Sequence, residues 1–189
     1  MGWFRRREER AEQERLVEIE ASLLSALLCE ETVTKTMALQ VPTVSGGIDL
    51  IANIVASTPI KLYREEDGKS YEIADDSRLD LLNDDTGDTL NANEFWKAMI
   101  RDYYLGKGGY AYIHKVKGKV RSIHYVDEEK IAIQEGTDPI FKDFNICVDG
   151  AIYRPFDFIK ILRNTKNGAW GIPITKESST LIEVAYQSL

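Results

Sequence analysis

Histidine and cysteine are scarce in this chain, with two of each among 189 residues. His114 and His124 come without a third ligand at a recognisable interval, so structural roles fit them better than zinc. Cys29 and Cys147 have neither disulfide-pair nor metal spacing. They read as two small buried thiols in a reduced intracellular protein. No apolar run reaches the ~18–20 residues that span a membrane. Acidic residues interrupt the basic opening MGWFRRREER before a signal-peptide core can form, and Arg6 stands where myristoylation wants Ser or Thr. Positive charge is in deficit as well. Lys and Arg number 24 against 31 Asp and Glu, a net charge of −7. That balance argues against a general nucleic-acid binder, which needs cations to displace counterions. It leaves room for a surface that DNA passes without sticking. The expected place of synthesis is the cytoplasm.

Signatures of catalysis are missing too. There is no G-x-S-x-G elbow, and no nucleophile–base pair is legible in the sequence. The glycines at 106, 108 and 109 follow a helical segment and lack the GxxxxGK[ST] pattern, so they form no phosphate loop. The stretch NDDTGD, residues 83–88, lacks the spacing and closing Glu of a calcium loop and reads as a surface loop. Carboxylates such as Asp84, Asp85, Asp127, Glu128 and Glu129 are not isolated in apolar settings that would split their pKa values. The basic cluster Lys107, Lys115, Lys117, Lys119 and Arg121 is explained by a solvated hairpin tip. The expectation is a non-enzyme with no cofactor and no metal.

Hydrophobic content of 43% and charged content of 29% are those of an ordinary globular protein. The organising stretch is VPTVSGGIDLIANIVASTPIKLYR, residues 41–64. Pro42 suits a first helical turn. Val44, Ile48, Ile51 and Val55 fall on one helical stripe with Leu50 and Ile54 beside it, and Ser45, Asp49, Asn53 and Ser57 form a polar line. The pattern predicts a helix buried almost all round. Each β-branched residue costs up to about 0.7 kcal/mol of helix propensity, while burying it returns roughly 1.5–3 kcal/mol, so packing decides. Thr58 before Pro59 ends the helix, and the alternation from Ile60 to Arg64 predicts a half-buried strand.

Upstream, residues 1–35 form a charged helical N-terminal extension, in which Leu16, Ile19, Leu23 and Leu27 make a stripe. A solvated, partly frayed extension and a partner-binding arm fit it equally. Residues 30–40 read as a connector with Thr-rich β character. Downstream, EDGK (66–69) supplies a turn and residues 70–73 a returning strand. Asp75, Asp76 and Ser77 are N-cap candidates for a helix carrying Leu79, Leu81 and Leu82. Asn91 and Glu94 have the capping-box shape before a helix with Phe95, Trp96, Met99, Ile100, Tyr103 and Tyr104 on one broad face. Strands are predicted over 110–116, 120–126, 131–134, 145–148 and 157–162, with Trp170 in the loop 163–171. Pro173 opens a closing helix whose Leu181, Ile182 and Ala185 share an apolar face. The fold class is α+β, helices packed on a small antiparallel sheet.

Several of these segments, taken in order, resemble the wing region of portal proteins, the head-tail connectors of tailed double-stranded-DNA bacteriophages of the siphophage type. PIKLYR (59–64) resembles the junction where an apolar helix ends in proline and enters a strand. DSRLDLLN (76–83) is similar to a short helix with paired leucines, NEFWKAMIRDYYL (93–105) to an aromatic helix, and GGYAY (108–112) to the entry into a hairpin. GKVRSIHYVDEEKI (118–131), FDFIKI (156–161) and GIPI (171–174) resemble the later strands and the next helix start. Two places depart from the pattern: Ser77 where a proline is usual, and Gly46-Gly47, which loosens the helix but permits close approach. The resemblance covers residues 36–189, a portal wing-like α+β domain, and the family's stem, clip and crown have no counterpart in it. An excised segment, a natural truncation and a prophage remnant all fit that span.

The resemblance implies a structural subunit of a homo-oligomeric ring at the capsid vertex of the virion. DNA is packaged and ejected through such a ring without sequence-specific contact, and capsid, packaging-motor and tail-adaptor proteins bind it. Within it, Ile48, Ile51, Trp96, Ile100 and Tyr104 are expected as scaffold core, and Trp3, Phe4 and Trp170 as partner contacts. Burial of Trp170 beneath its own loop fits equally. The rival reading is a monomeric adaptor or truncated remnant that binds a partner through its N-terminal helix or interferes with portal assembly.

Overall fold

The computed structural model describes residues 33–138, 140 and 142–189, and the N-terminal stripe, Cys29, Trp3 and Phe4 lie outside them. The described residues divide into two compact units, residues 33–46 with 174–189 and residues 47–173. The fold is α+β, with helices and small antiparallel sheets.

In the first unit, helix α1 spans Lys35–Gln40, where the sequence suggested extended chain. The Thr34 hydroxyl accepts a hydrogen bond from the Met37 N–H at 3.2 Å, an N-cap that overrides the β preference of its threonines. The C-terminal segment forms a single turn, α5 (Ile174–Glu177), and then α6 (Ser179–Gln187), which packs with α1. Ile182 is buried there, but Leu181, expected on the same apolar face, is exposed.

Helix α2, Pro42–Ala56, starts at its proline as predicted. Its burial differs from the prediction. Among its residues only Ile48 and Ala52 are buried, whereas Leu50, Ile51, Ile54 and Val55 are exposed. The buried line is Ile48 and Ala52, and beside it Asp49 pairs with Arg101 at 2.8 Å. Gly46 and Gly47 permit no close approach: nothing among the described residues lies within 4 Å of a Cβ added at either.

The hairpin β1 (Leu62–Glu66) and β2 (Lys69–Ile73) turns through Asp67 and Gly68, both at positive φ. It stands free of any core, with only Leu62 and Ile73 half-buried, so its alternation does not mark a buried face. Helix α3 (Ser77–Asn83) is capped by Asp76, and α4 (Ala92–Leu105) by Asn91, whose side chain accepts from the Glu94 N–H at 2.9 Å.

Strands β3 (Gly109–Val116), β4 (Lys119–Val126) and β8 (Phe158–Ile161) form a sheet in the order β4-β3-β8. Strands β5 (Ile131–Glu135), β6 (Phe144–Val148) and β7 (Ala151–Tyr153) form a second. Successive residues of β3 point to opposite faces, so the strand serves two cores. Ala111 joins Phe95, Met99 and Ile123 under α4. Tyr110 joins Ile131, Ile146 and Phe158 against the second sheet. The central sheet is thus covered by a helix on one face and strands on the other. Cys147 is half-buried on β6.

Candidate interaction surface

Two ordered loops and one polar array on the two-core unit place side chains that sequence alone could not assemble. The first loop, residues 163–171, is fixed from several directions. The Asn167 Oδ1 accepts from the N–H groups of Ala169 (3.0 Å) and Trp170 (3.3 Å), and Thr165 Oγ1 accepts from Gly168 N–H at 2.9 Å. Lys160 Nζ donates to the Gly168 carbonyl at 3.2 Å while lying 4.4 Å from the Phe144 ring centroid. Burial lowers the pKa of that ammonium. The Tyr110 hydroxyl, in the second core, donates to the Ala169 carbonyl at 2.7 Å. Burial first, and the Glu128 charge second, raise its pKa well beyond the ordinary tyrosine range. Trp170 at the end of this framework is 37% exposed. A large aromatic held rigid and half in water has lost its entropy before any partner arrives, which favours contact residues.

The second loop, residues 84–91, is more than the plain surface loop the sequence suggested. Thr86 is fully buried, its carbonyl accepts from the Ile123 N–H at 2.8 Å, and Asp85 bridges to Asn91. Its outer end enters a polar array on the β3–β4 sheet. The register pairs His114 with Ser122, which puts His124 on the same face two residues along. Ser122 Oγ lies 2.7 Å from His124 Nε2 and 3.2 Å from His114 Nδ1, and His124 Nδ1 lies 3.1 Å from Asp88 Oδ1. With both imidazoles neutral the chain closes in one sense. His114 Nδ1–H donates to Ser122, the Ser122 hydroxyl donates to His124 Nε2, and His124 Nδ1–H donates to Asp88.

A hydroxyl, an imidazole and a carboxylate therefore stand in hydrogen-bond sequence, a juxtaposition that no spacing in the sequence made legible. The signal was hidden because Asp88 sits in a loop far from the strand pair Ser122 and His124. Ser122 is buried beneath Gly87, and the neighbouring Ile123 N–H is already taken by Thr86. In that setting the array acts as a clasp between loop and sheet.

Two exposed apolar sets complete the surface. Leu50, Ile51, Ile54 and Val55 line one side of α2, and Ile152 and Phe156 stand out at β7 and the short turn Pro155–Asp157. No helix among the described residues is long and apolar enough to cross a membrane. The Phage portal protein family profile matches residues 42–169, two thirds of the sequence. The chain belongs to the phage portal protein family. No curated protein matches it.

The family assignment gives the chain a structural role in the virion, and its scaffold can be set beside the sequence expectations. Ile48 is buried. Ile51, expected in the core, is 39% exposed, because α2 packs through its Ile48 and Ala52 line and leaves Ile51 to one side of it. Trp96, Ile100 and Tyr104 are half-buried. Trp96 packs against the first core and donates Nε1–H to the Leu82 carbonyl at 2.9 Å. Trp3 and Phe4 fall outside the described residues.

Proposed function

We propose that this portal-family chain is a building block of a homo-oligomeric ring at the capsid vertex, through which double-stranded DNA is packaged and ejected. The family match over residues 42–169 carries this reading. The mechanism is geometric: each subunit presents different surfaces to its two neighbours, and the rotation between them closes. Capsid, packaging-motor and tail-adaptor proteins bind outside the ring. A net charge of −7 suits a conduit that repels phosphate and holds DNA by no base-specific contact. Ile48, Trp96, Ile100 and Tyr104 serve as scaffold, while Trp170, with Trp3 and Phe4, contacts partners.

Light scattering and negative-stain microscopy of the purified chain test this, followed by imaging of the chain mixed with procapsids. Closed oligomers, or density at one capsid vertex, are expected. A strict monomer at high concentration that also leaves procapsids undecorated overturns the reading and favours the monomeric adaptor.

A further inference from the structure

The two-core unit carries two separate exposed apolar sets, one on α2 and one at β7 and the turn that follows it. Leu50, Ile51, Ile54 and Val55 of α2 are 62%, 39%, 59% and 37% exposed. Residues three and four apart share a side of a helix, and the pairs Leu50–Ile54, Ile51–Ile54 and Ile51–Val55 link these four into one stripe. The helix is fastened on the α4 side of the sheet, by the pairing of Asp49 with Arg101 and by the Asn93 Nδ2–H bond to the Ala56 carbonyl at 3.1 Å. An exposed apolar stripe on a rigid element marks a contact surface. Its rim is acidic. Asn83 exchanges two hydrogen bonds with Ile60 (2.7 and 3.0 Å), which brings the end of α3, with exposed Asp80, Asp84 and Asp85, beside the exit of α2.

The second set stands on different elements. Ile152 and Phe156 are 63% and 65% exposed, next to the β5-β6-β7 sheet. Here the rim is basic. Lys115 Nζ lies 5.7 Å and the Arg154 guanidinium 5.9 Å from the Phe156 ring centroid. Arg154 and Lys142 also line an open recess of about 400 Å³ beside that ring. Asp157 pairs with Lys115, and Asp143 edges the recess, which leaves the basic side in excess.

We infer that copies of this chain meet head to tail, with Ile152 and Phe156 of one copy seated on the Leu50, Ile51, Ile54 and Val55 stripe of the next. The inference rests on the ring reading and names the surfaces that reading leaves open. Two-fold pairing would set acidic rim against acidic rim, or basic against basic. Head-to-tail pairing joins apolar to apolar in the centre and opposite charges around it, the arrangement of a specific interface. It also uses two different patches per copy, as a closing ring requires.

Single-cysteine chains in a Cys29→Ser, Cys147→Ser background test the geometry. Under mild oxidation, I54C mixed with F156C is expected to give a mixed disulfide dimer, with little product from either chain alone. Dimers of I54C with itself in place of the mixed product overturn the inference in favour of two-fold pairing. Sedimentation of the full chain supplies the second readout. I54D and R154E each weaken self-association about tenfold or more, and D84R restores association to R154E chains, which excludes misfolding as the cause. Wild-type association untouched by I54D and R154E overturns the inference while the ring reading survives. A wild-type chain that stays monomeric at all concentrations removes both.

Discussion

One methyl group separates the glycines this fold requires from those it merely tolerates. A Cβ at Gly109 would lie 2.5 Å from the Met99 carbonyl oxygen and 2.8 Å from Ile161 Cγ1, where α4 crosses the start of β3. Gly109→Ala is therefore expected to destabilise by about 1–3 kcal/mol. Gly46 and Gly47 sit inside α2 with open space around them among the described residues. Gly46→Ala and Gly47→Ala are each expected to stabilise by about 0.5–1 kcal/mol, since alanine loses less entropy in a helix. Urea denaturation of the three variants reads both signs. Asp76 sets a residue-scale dependence on pH. The hydrogen bonds from the Arg78 guanidinium, then from the Arg78 N–H, lower its pKa from 3.8 to about 2. A carboxylate depressed in the folded state contributes stability above its ordinary value, and that contribution fades as pH falls toward the folded one. Asp76→Asn keeps a capping oxygen and removes the charge. Its Tm should lie below wild type at neutral pH, and the gap should close between pH 3.8 and about 2. A gap that stays constant over that interval would show that the charge is not what Asp76 contributes.

At the scale of elements, the loop carrying Trp170 hangs on one bond from the core. Tyr110→Phe removes the donor to the Ala169 carbonyl and leaves that buried oxygen unpaired, at a cost of about 1–3 kcal/mol. Hydrogen exchange should quicken over residues 163–171 while the β3–β4 ladder stays protected. Uniform acceleration across the sheet would assign the cost to the core instead. What the sequence disclosed about elements follows from how local each cause is. Asp76 and Asn91 cap through their own next residues, and Asp67-Gly68 turns its hairpin through two positive φ values. These were legible. Thr34 was read as β because its cap depends on a helix of only six residues. The helical period of α2 was legible and its burial was not, because periodicity records which side is apolar and not whether anything covers it. The array of Ser122, His114, His124 and Asp88 needed the β3–β4 register, which one residue of slip would reverse, and a loop contact that no spacing encodes.

For the molecule as a whole, the physics turns on β3 being shared. Met99 lies in one core and Ile146 in the other, both fully buried. Met99→Ala and Ile146→Ala should each cost about 2–5 kcal/mol. The alternation of Tyr110 and Ala111 along one strand means neither core can lose its side of β3 without exposing the other. Residues 47–173 should then unfold as a single cooperative unit despite having two separate clusters. The tryptophans allow a direct measurement. Trp96 packs on the first core, and Trp170 follows the Ala169 carbonyl that Tyr110 of the second core holds. With Trp3 and one of these two replaced by Phe, fluorescence follows either core alone. Coincident urea midpoints from the two reporters, in wild type and in both alanine variants, are the expected outcome. If Met99→Ala moves the Trp96 midpoint and leaves that of Trp170 in place, β3 does not couple the cores. The unit would then consist of two independently stable halves joined by a strand.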